Sequence, residues 1–169
     1  MYINFWYPIC TSKELEDKPL RLEILSLRFA AFRDSDGVAH VLSDTCIHRG
    51  GSLGKGWIED DCIVCPYHGW AWDTQGQNSL IPYQDNVIRK PMRKWSVVER
   101  FGMIFVWHDP AGGPPRAGWE LPNLFTDYPE LPAASEADFY PCWPNAVVDK
   151  PNEAIHPQYV QENVCDTTH

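Results

Sequence analysis

The sequence has no apolar run near the ~20 residues that a membrane-spanning helix requires, so no membrane span is expected. Positive charge is scarce. Fourteen Lys and Arg stand against twenty-three Asp and Glu, a formal charge of -9. Such a surface repels phosphate backbones, which argues against a nucleic-acid partner. The opening residues, Met1 to Pro8, carry neither the basic segment nor the small-residue cleavage site of a secretory signal, and a cytoplasmic location is expected. Room for long helices is also missing, because fifteen prolines and eleven glycines interrupt the chain. What is abundant is aromatic: eight Trp, seven Tyr and seven Phe, residues that favour strands.

The pattern along the chain agrees with many short strands. Thr11 to Glu14 reads as the cap of a short helical turn, closed by Pro19. Apolar and charged residues alternate from Leu20 to Ile24, and an apolar run follows from Leu27 to Phe32. Asp34-Ser35-Asp36-Gly37 then reads as a hairpin turn into Val38 to Leu42. Cys62-Ile63-Val64 is a short apolar strand, with Trp70-Ala71-Trp72 and Ser79-Leu80-Ile81 forming a hairpin around Asp73 to Gly76. Lys94 to Glu99 and Met103 to Trp107 read as a last pair, turning at Arg100-Phe101-Gly102. Past Asp109 the prolines multiply, and helical texture returns only from Gln158 to His169. The expected division is a mainly β domain over residues 1–109 and a Pro-rich extension with a C-terminal helix over 110–169.

Six cysteines without a secretory signal point to metal binding or core packing rather than disulfides. Cys46-Ile47-His48 and Cys65-Pro66-Tyr67-His68 lie on two separate stretches, each offering a thiolate and an imidazole beside glycines (Gly50, Gly51, Gly54 and Gly69). Soft thiolates select zinc, copper(I) or iron–sulfur centres, and imidazole suits zinc and iron. Two solutions follow: a tetrahedral zinc site, or a two-iron, two-sulfide cluster with both thiolates on one iron and both histidines on the other. Zinc sites usually pair like ligands at each corner, whereas here each stretch mixes them, which favours the binuclear cluster. Cys62 forms a C-x-x-C with Cys65 but falls in an apolar strand and reads as a buried core thiol; Cys10, Cys142 and Cys165 read as packing residues. His40 and His108, at strand positions, read as satisfied hydrogen bonders. Trp70 and Trp72 are expected to pack beside the cluster loops and exclude water. Arg49 reads as a docking or loop-closing cation.

Cys46-Ile47-His48-Arg49-Gly50-Gly51 with Cys65-Pro66-Tyr67-His68-Gly69-Trp70 resembles the ligand signature of the Rieske non-haem iron oxygenases. The similarity runs from Phe5 to about Asp109 and reappears in Glu162-Asn163-Val164-Cys165-Asp166-Thr167-Thr168-His169. The resemblance implies a Rieske-type iron–sulfur domain of small antiparallel sheets, with a 2Fe-2S cluster held by Cys46, His48, Cys65 and His68. It implies that Asp166 bridges two metal centres and that His169 is a first ligand of a mononuclear Fe(II). It further implies a reductase or ferredoxin electron donor, dioxygen and a small organic substrate, and a homotrimer. Compared with respiratory Rieske proteins, the positions of the extra loop cysteines and of a serine look like Gly51, Tyr67 and Trp70. Fewer hydrogen bonds to sulfur make reduction harder, so a potential at the low end of the Rieske range, about -150 mV, is expected.

A facial triad needs two His and one carboxylate, and the chain stops at His169, so it reads as truncated ahead of its catalytic domain. The leading expectation is the oxygenase component of a Rieske mono- or dioxygenase. The alternative is a stand-alone Rieske-type ferredoxin, with structural zinc binding more distant.

Overall fold

The computed structural model describes residues 2–24, 26–123 and 126–127. The chain divides into a unit Met1–Asn123 and a unit Leu124–His169, the second almost wholly outside the described residues. The expected C-terminal helix lies there as well.

Among the described residues, ten strands form three antiparallel sheets. The first sheet places β10 (Met103–His108) between β1 (Phe5–Thr11) and β9 (Val97–Arg100). In the second, β3 (Leu27–Arg33) lies between β2 (Leu20–Ile24) and β4 (Ala39–Ser43). The third runs in sequence order: β5 (Trp57–Glu59), β6 (Cys62–Val64), β7 (Ala71–Trp72) and β8 (Asn78–Leu80). A 3-10 turn, Leu53–Lys55, interrupts the strands.

Strand β3 explains the layering. Its sequence is apolar on both faces, as a central strand buried on both sides must be. Phe29 and Ala31 enter one core with Ile9, Val41, Trp95, Ile104 and Val106. Ala30 and Phe32, pointing the other way, enter a second core with Leu42, Leu53, Ile63 and Trp72. The second core also contains Cys46 and Cys65. Edge strand β2 instead alternates half-buried and exposed residues along Leu20–Ile24.

Two strands depart from the sequence expectations. Strand β1 was hidden by Pro8, which demotes a run to an edge or a bulge; the structure takes both routes, with β1 at a sheet edge and its register against β10 shifting between Pro8 and Cys10. Strand β5 is three residues long. It is joined to β6 through Asp60 and Asp61, both at positive φ (48° and 60°), the two-residue turn that best fits a hairpin. In the final pair β9 begins at Val97 rather than Lys94, which makes only an isolated bridge to Leu42, while β10 runs one residue further than expected, to His108. The cap at Thr11 forms without a helix. Glu14 Oε2 accepts from Thr11 N–H (2.7 Å) and from Thr11 Oγ1 (2.8 Å), closing one turn.

The start of the Pro-rich stretch returns to the first sheet. Asp109 folds it by accepting from the N–H groups of Ala111 (2.8 Å) and Gly113 (3.1 Å). The Trp6 indole N–H donates to Trp119 O (2.8 Å), and Arg100 donates to Leu121 O.

Candidate metal centre

The stretches 46–51 and 65–70 build one turn twice. In the first, Cys46 N–H donates to Gly51 O (2.8 Å) and Gly50 N–H donates to Cys46 O (2.8 Å). In the second, Cys65 N–H donates to Trp70 O (2.9 Å) and Gly69 N–H donates to Cys65 O (2.9 Å). The fifth residue of each is a glycine at positive φ, Gly50 at 75° and Gly69 at 72°, a conformation that costs an L side chain about 1–2 kcal/mol. Strand β4 feeds the first turn through Asp44 and Thr45; β6 and β7 flank the second, with Val64 paired to Ala71.

The turns bring like donors together. Cys46 and Cys65 are buried, free thiols packed in the same core cluster. Burial pushes the Cys46 thiol up, and the neighbouring Cys65 adds to this, while a hydrogen bond from His48 N–H and the Trp72 side chain act the other way. Toward solvent, the rings of His48 and His68 stand 4.8 Å apart between centroids. Trp70 stacks on His48 at 4.1 Å and 7°, and Tyr67 on His68 at 4.0 Å and 27°. His48 is half-buried and His68 exposed. Burial, then the charges of His68 and Arg49, hold the His48 ring below its ordinary pKa, which favours the neutral form that a metal requires.

The approach of the two turns is tight. A Cβ on Gly51 would lie 2.7 Å from Cys65 Sγ and 3.1 Å from Tyr67 Cβ, so only glycine fits there. The first turn is further braced by Asp44, a buried carboxylate. It accepts from Ser52 Oγ (2.8 and 2.9 Å) and from Gly54 N–H (2.8 Å), and it faces Arg21 Nε at 3.3 Å. Sequence reading missed Asp44, because an acid ahead of a cysteine looks the same whether it faces inward or toward water. The one available signal was Ser52 and Gly54 within ten residues of it.

The donor set fits a binuclear centre. Sulfur is paired with sulfur and ring with ring, the division that two irons with unlike ligands need. Among the described residues, no three His, Cys, Asp or Glu side chains surround one point as the ligands of a single ion would. The buried Trp72 indole N–H, packed in the core that holds both thiols, has no hydrogen-bond partner.

Other candidates fall elsewhere. Cys62 is half-buried rather than core, and its sulfur accepts from Ser79 Oγ–H at 3.2 Å, because it sits at the edge of β6 rather than under it. Cys10 packs in the first core, where burial and Glu14 raise its thiol to about 11. His40 Nε2 meets Asp34 Oδ2 at 2.6 Å, as a satisfied histidine should. His108 departs from that expectation: its Nδ1 is buried without a partner. Arg49 is exposed. Asp166 and His169, with Cys142 and Cys165, lie outside the described residues.

Residues 5–99 match the family model described as the Rieske [2Fe-2S] domain. The oxygenase component of a 3-ketosteroid-9-alpha-monooxygenase from Rhodococcus rhodochrous is 36% identical over 121 residues, covering 70% of this chain and 32% of that protein. Its counterpart from Mycobacterium tuberculosis is 31% identical over 170 residues, covering 99% of this chain and 42% of that protein. A crystal structure of dicamba monooxygenase with non-heme iron and dicamba superposes with a TM-score of 0.62 at 37% identity, covering 72% of this chain and 37% of that one. The chain thus spans 32–42% of the length of these relatives. No helix among the described residues is long and apolar enough to cross a membrane.

Proposed function

The chain belongs to the Rieske [2Fe-2S] domain family, and from that premise we propose that it is the electron-receiving part of a Rieske non-haem iron oxygenase component, with Cys46 and Cys65 on one iron and His48 and His68 on the other. The observation that carries this reading is the like-with-like pairing of buried sulfurs and outer imidazoles across two copies of one turn. When bound, the cluster supplies one-electron transfer. The protein's part is to hold the thiolates dry in the second core and to leave the imidazole edges near solvent, where a reductase or ferredoxin can approach. Trp70 and Tyr67 cover one ring each and fix their orientation.

Likeness to the Mycobacterium tuberculosis relative continues over 99% of the chain, and so into the segment that carries Asp166. This favours an oxygenase component over a stand-alone ferredoxin, which has no use for such a segment. In this reading His169 is one ligand of a mononuclear iron, and Asp166 links it electrically to a cluster, that of a neighbouring subunit in a homotrimer. The reaction consumes dioxygen and oxidises a small organic substrate. A reducing cytoplasm suits the free thiols.

The test is direct. Freshly purified chain should be brown, contain iron and acid-labile sulfide in equal amounts, and give a rhombic electron spin resonance signal on reduction. Colourless protein carrying zinc would overturn the assignment. In a protein that also carries the second His and the carboxylate of the triad, additional ferrous iron should bind, and the Asp166→Ala, His169→Ala double variant should lose it while keeping its cluster.

A further inference from the structure

Positive charge is scarce along the chain, yet four of its fourteen Lys and Arg fall within six residues: Arg89, Lys90, Arg93 and Lys94. The rest of the chain keeps ten against twenty-three Asp and Glu. Arg89, Lys90 and Arg93 are exposed, and Lys94 is half-buried. Among the described residues none of the four makes an ion pair; the pairs formed there fall on Arg21, Arg28, Arg33 and His40.

The backbone that carries these cations is pinned beside the thiols. Ile88 packs against the second core, and Met92 is buried in it with Cys46 and Cys65. Ile88 N–H donates to Asn78 Oδ1 (3.1 Å), Met92 N–H donates to Gly76 O (2.7 Å), and Arg93 O accepts from Ser43 N–H (2.8 Å). Upstream, Pro82 Cγ lies 3.0 Å from where a Cβ on Gly69 would stand, against the second ligand turn. Downstream, the segment opens on a cavity of about 230 Å³ whose lining includes Arg93, Lys94, Ser96 and Asp109. The Arg93 guanidinium is steadied over the Trp95 ring at 4.6 Å and donates to Asp109 O at 3.0 Å. The Asp109 carboxylate already accepts from Ala111 and Gly113 N–H. What the lining leaves over is hydrogen-bond donors, from Arg93, Lys94 and the Ser96 hydroxyl.

Resting on the cluster assignment above, we propose that residues 89–94 are the docking surface for an acidic electron-donor protein, one of whose carboxylates seats in the cavity at Arg93 and Lys94. A basic donor would be drawn to acids over the whole chain and repelled from this segment. An acidic donor is repelled elsewhere and attracted here, next to the core that holds the thiols. The field therefore orients the encounter as well as speeding it. A carboxylate meeting fixed cations and a hydroxyl gains charge-assisted hydrogen bonds.

The experiment uses the full, cluster-loaded chain and a reduced plant-type [2Fe-2S] ferredoxin, a strongly reducing acidic protein, in stopped flow. Arg89→Glu, Lys90→Glu should lower the second-order rate of cluster reduction at least tenfold at low ionic strength, and the gap should close at high salt. Arg89→Lys, Lys90→Arg should keep the parent rate. Photoreduced lumiflavin, small and weakly charged, should reduce parent and variants alike. A parent rate that ignores salt, or a charge-reversed variant as fast as the parent, overturns the proposal. Equal slowing with lumiflavin also overturns it, because the segment would then be supporting the cluster rather than receiving a partner. Binding of the parent to phosphatidylserine vesicles, lost on charge reversal while the ferredoxin rate stays, overturns it in favour of a membrane. Should the charge-reversed chain fail to load, Arg89→Gln, Lys90→Gln gives the same reading with a smaller loss. Parent chain that takes up no iron and sulfide fails the cluster assignment; parent that loads but shows none of these charge effects fails the docking surface alone.

Discussion

The two ligand turns share a backbone but not a support. Each closes with the same pair of hydrogen bonds and a glycine at positive φ in fifth place. The imidazole sits second after the cysteine in one and third in the other. The first turn opens a long segment, residues 46–56, that hangs on the buried carboxylate of Asp44. The second is a short connection clamped between paired strands, Val64 against Ala71. Length therefore decides how a metal loop is held: a long one needs a side chain inside it, while a short one borrows rigidity from its sheet.

That contrast can be broken at its tightest point first. Gly51→Ala drives a methyl toward Cys65 Sγ and Tyr67. Iron and sulfide content should drop to a small fraction of the parent value, because the substitution in one turn displaces a ligand in the other. Next is Asp44→Ala, which leaves Gly54 N–H without its acceptor and should cost about 1–3 kcal/mol in urea unfolding. Asp44→Asn should recover part of that, and no residue of the second turn should behave likewise. The matching glycines give a finer comparison. Gly50→Ala meets nothing within 4 Å and should cost about 1–2 kcal/mol for its backbone alone. Gly69→Ala carries the same penalty and meets Pro82 Cγ at 3.0 Å, so its unfolding midpoint should be the lower of the two.

The smallest effect lies in the frame, away from both turns. Arg33 binds Glu99 through two contacts of 2.8 Å and holds its carboxyl below the ordinary value of 4.5. Stability from that pair is complete above pH ~4.5 and drains away as the pH falls through the lowered native value. Glu99→Gln should flatten the acid limb of a stability–pH curve and leave cluster content untouched.

Much of this was legible beforehand. The alternation of Leu20 to Ile24 and the unbroken run of Leu27 to Phe32 marked an edge strand and a central strand, and the structure has both. The Cys/His spacing marked the two turns whose buried thiols share a core and whose rings stand together. What stayed hidden was non-local. Pro8 masked β1, whose pairing with β10 joins residues almost a hundred positions apart. Strand β5 was too short to show a period, although Asp60-Asp61 held its turn signal. The capping pattern at Thr11 formed its bonds, but no helix followed, since a cap can only end a helix that packing sustains. The inward turn of Asp44 depended on where Arg21 would arrive.

Strand β3 has a consequence for how the protein wears out. Because its alternate side chains belong to opposite cores, it acts as a party wall between two rooms. Damage on the sulfur side presses on a partition that the far side also leans against. Stripping the thiol pocket of its contents should therefore soften the remote sheet of β1, β10 and β9 as well, so that cluster loss and unfolding proceed as linked events rather than as separate fates.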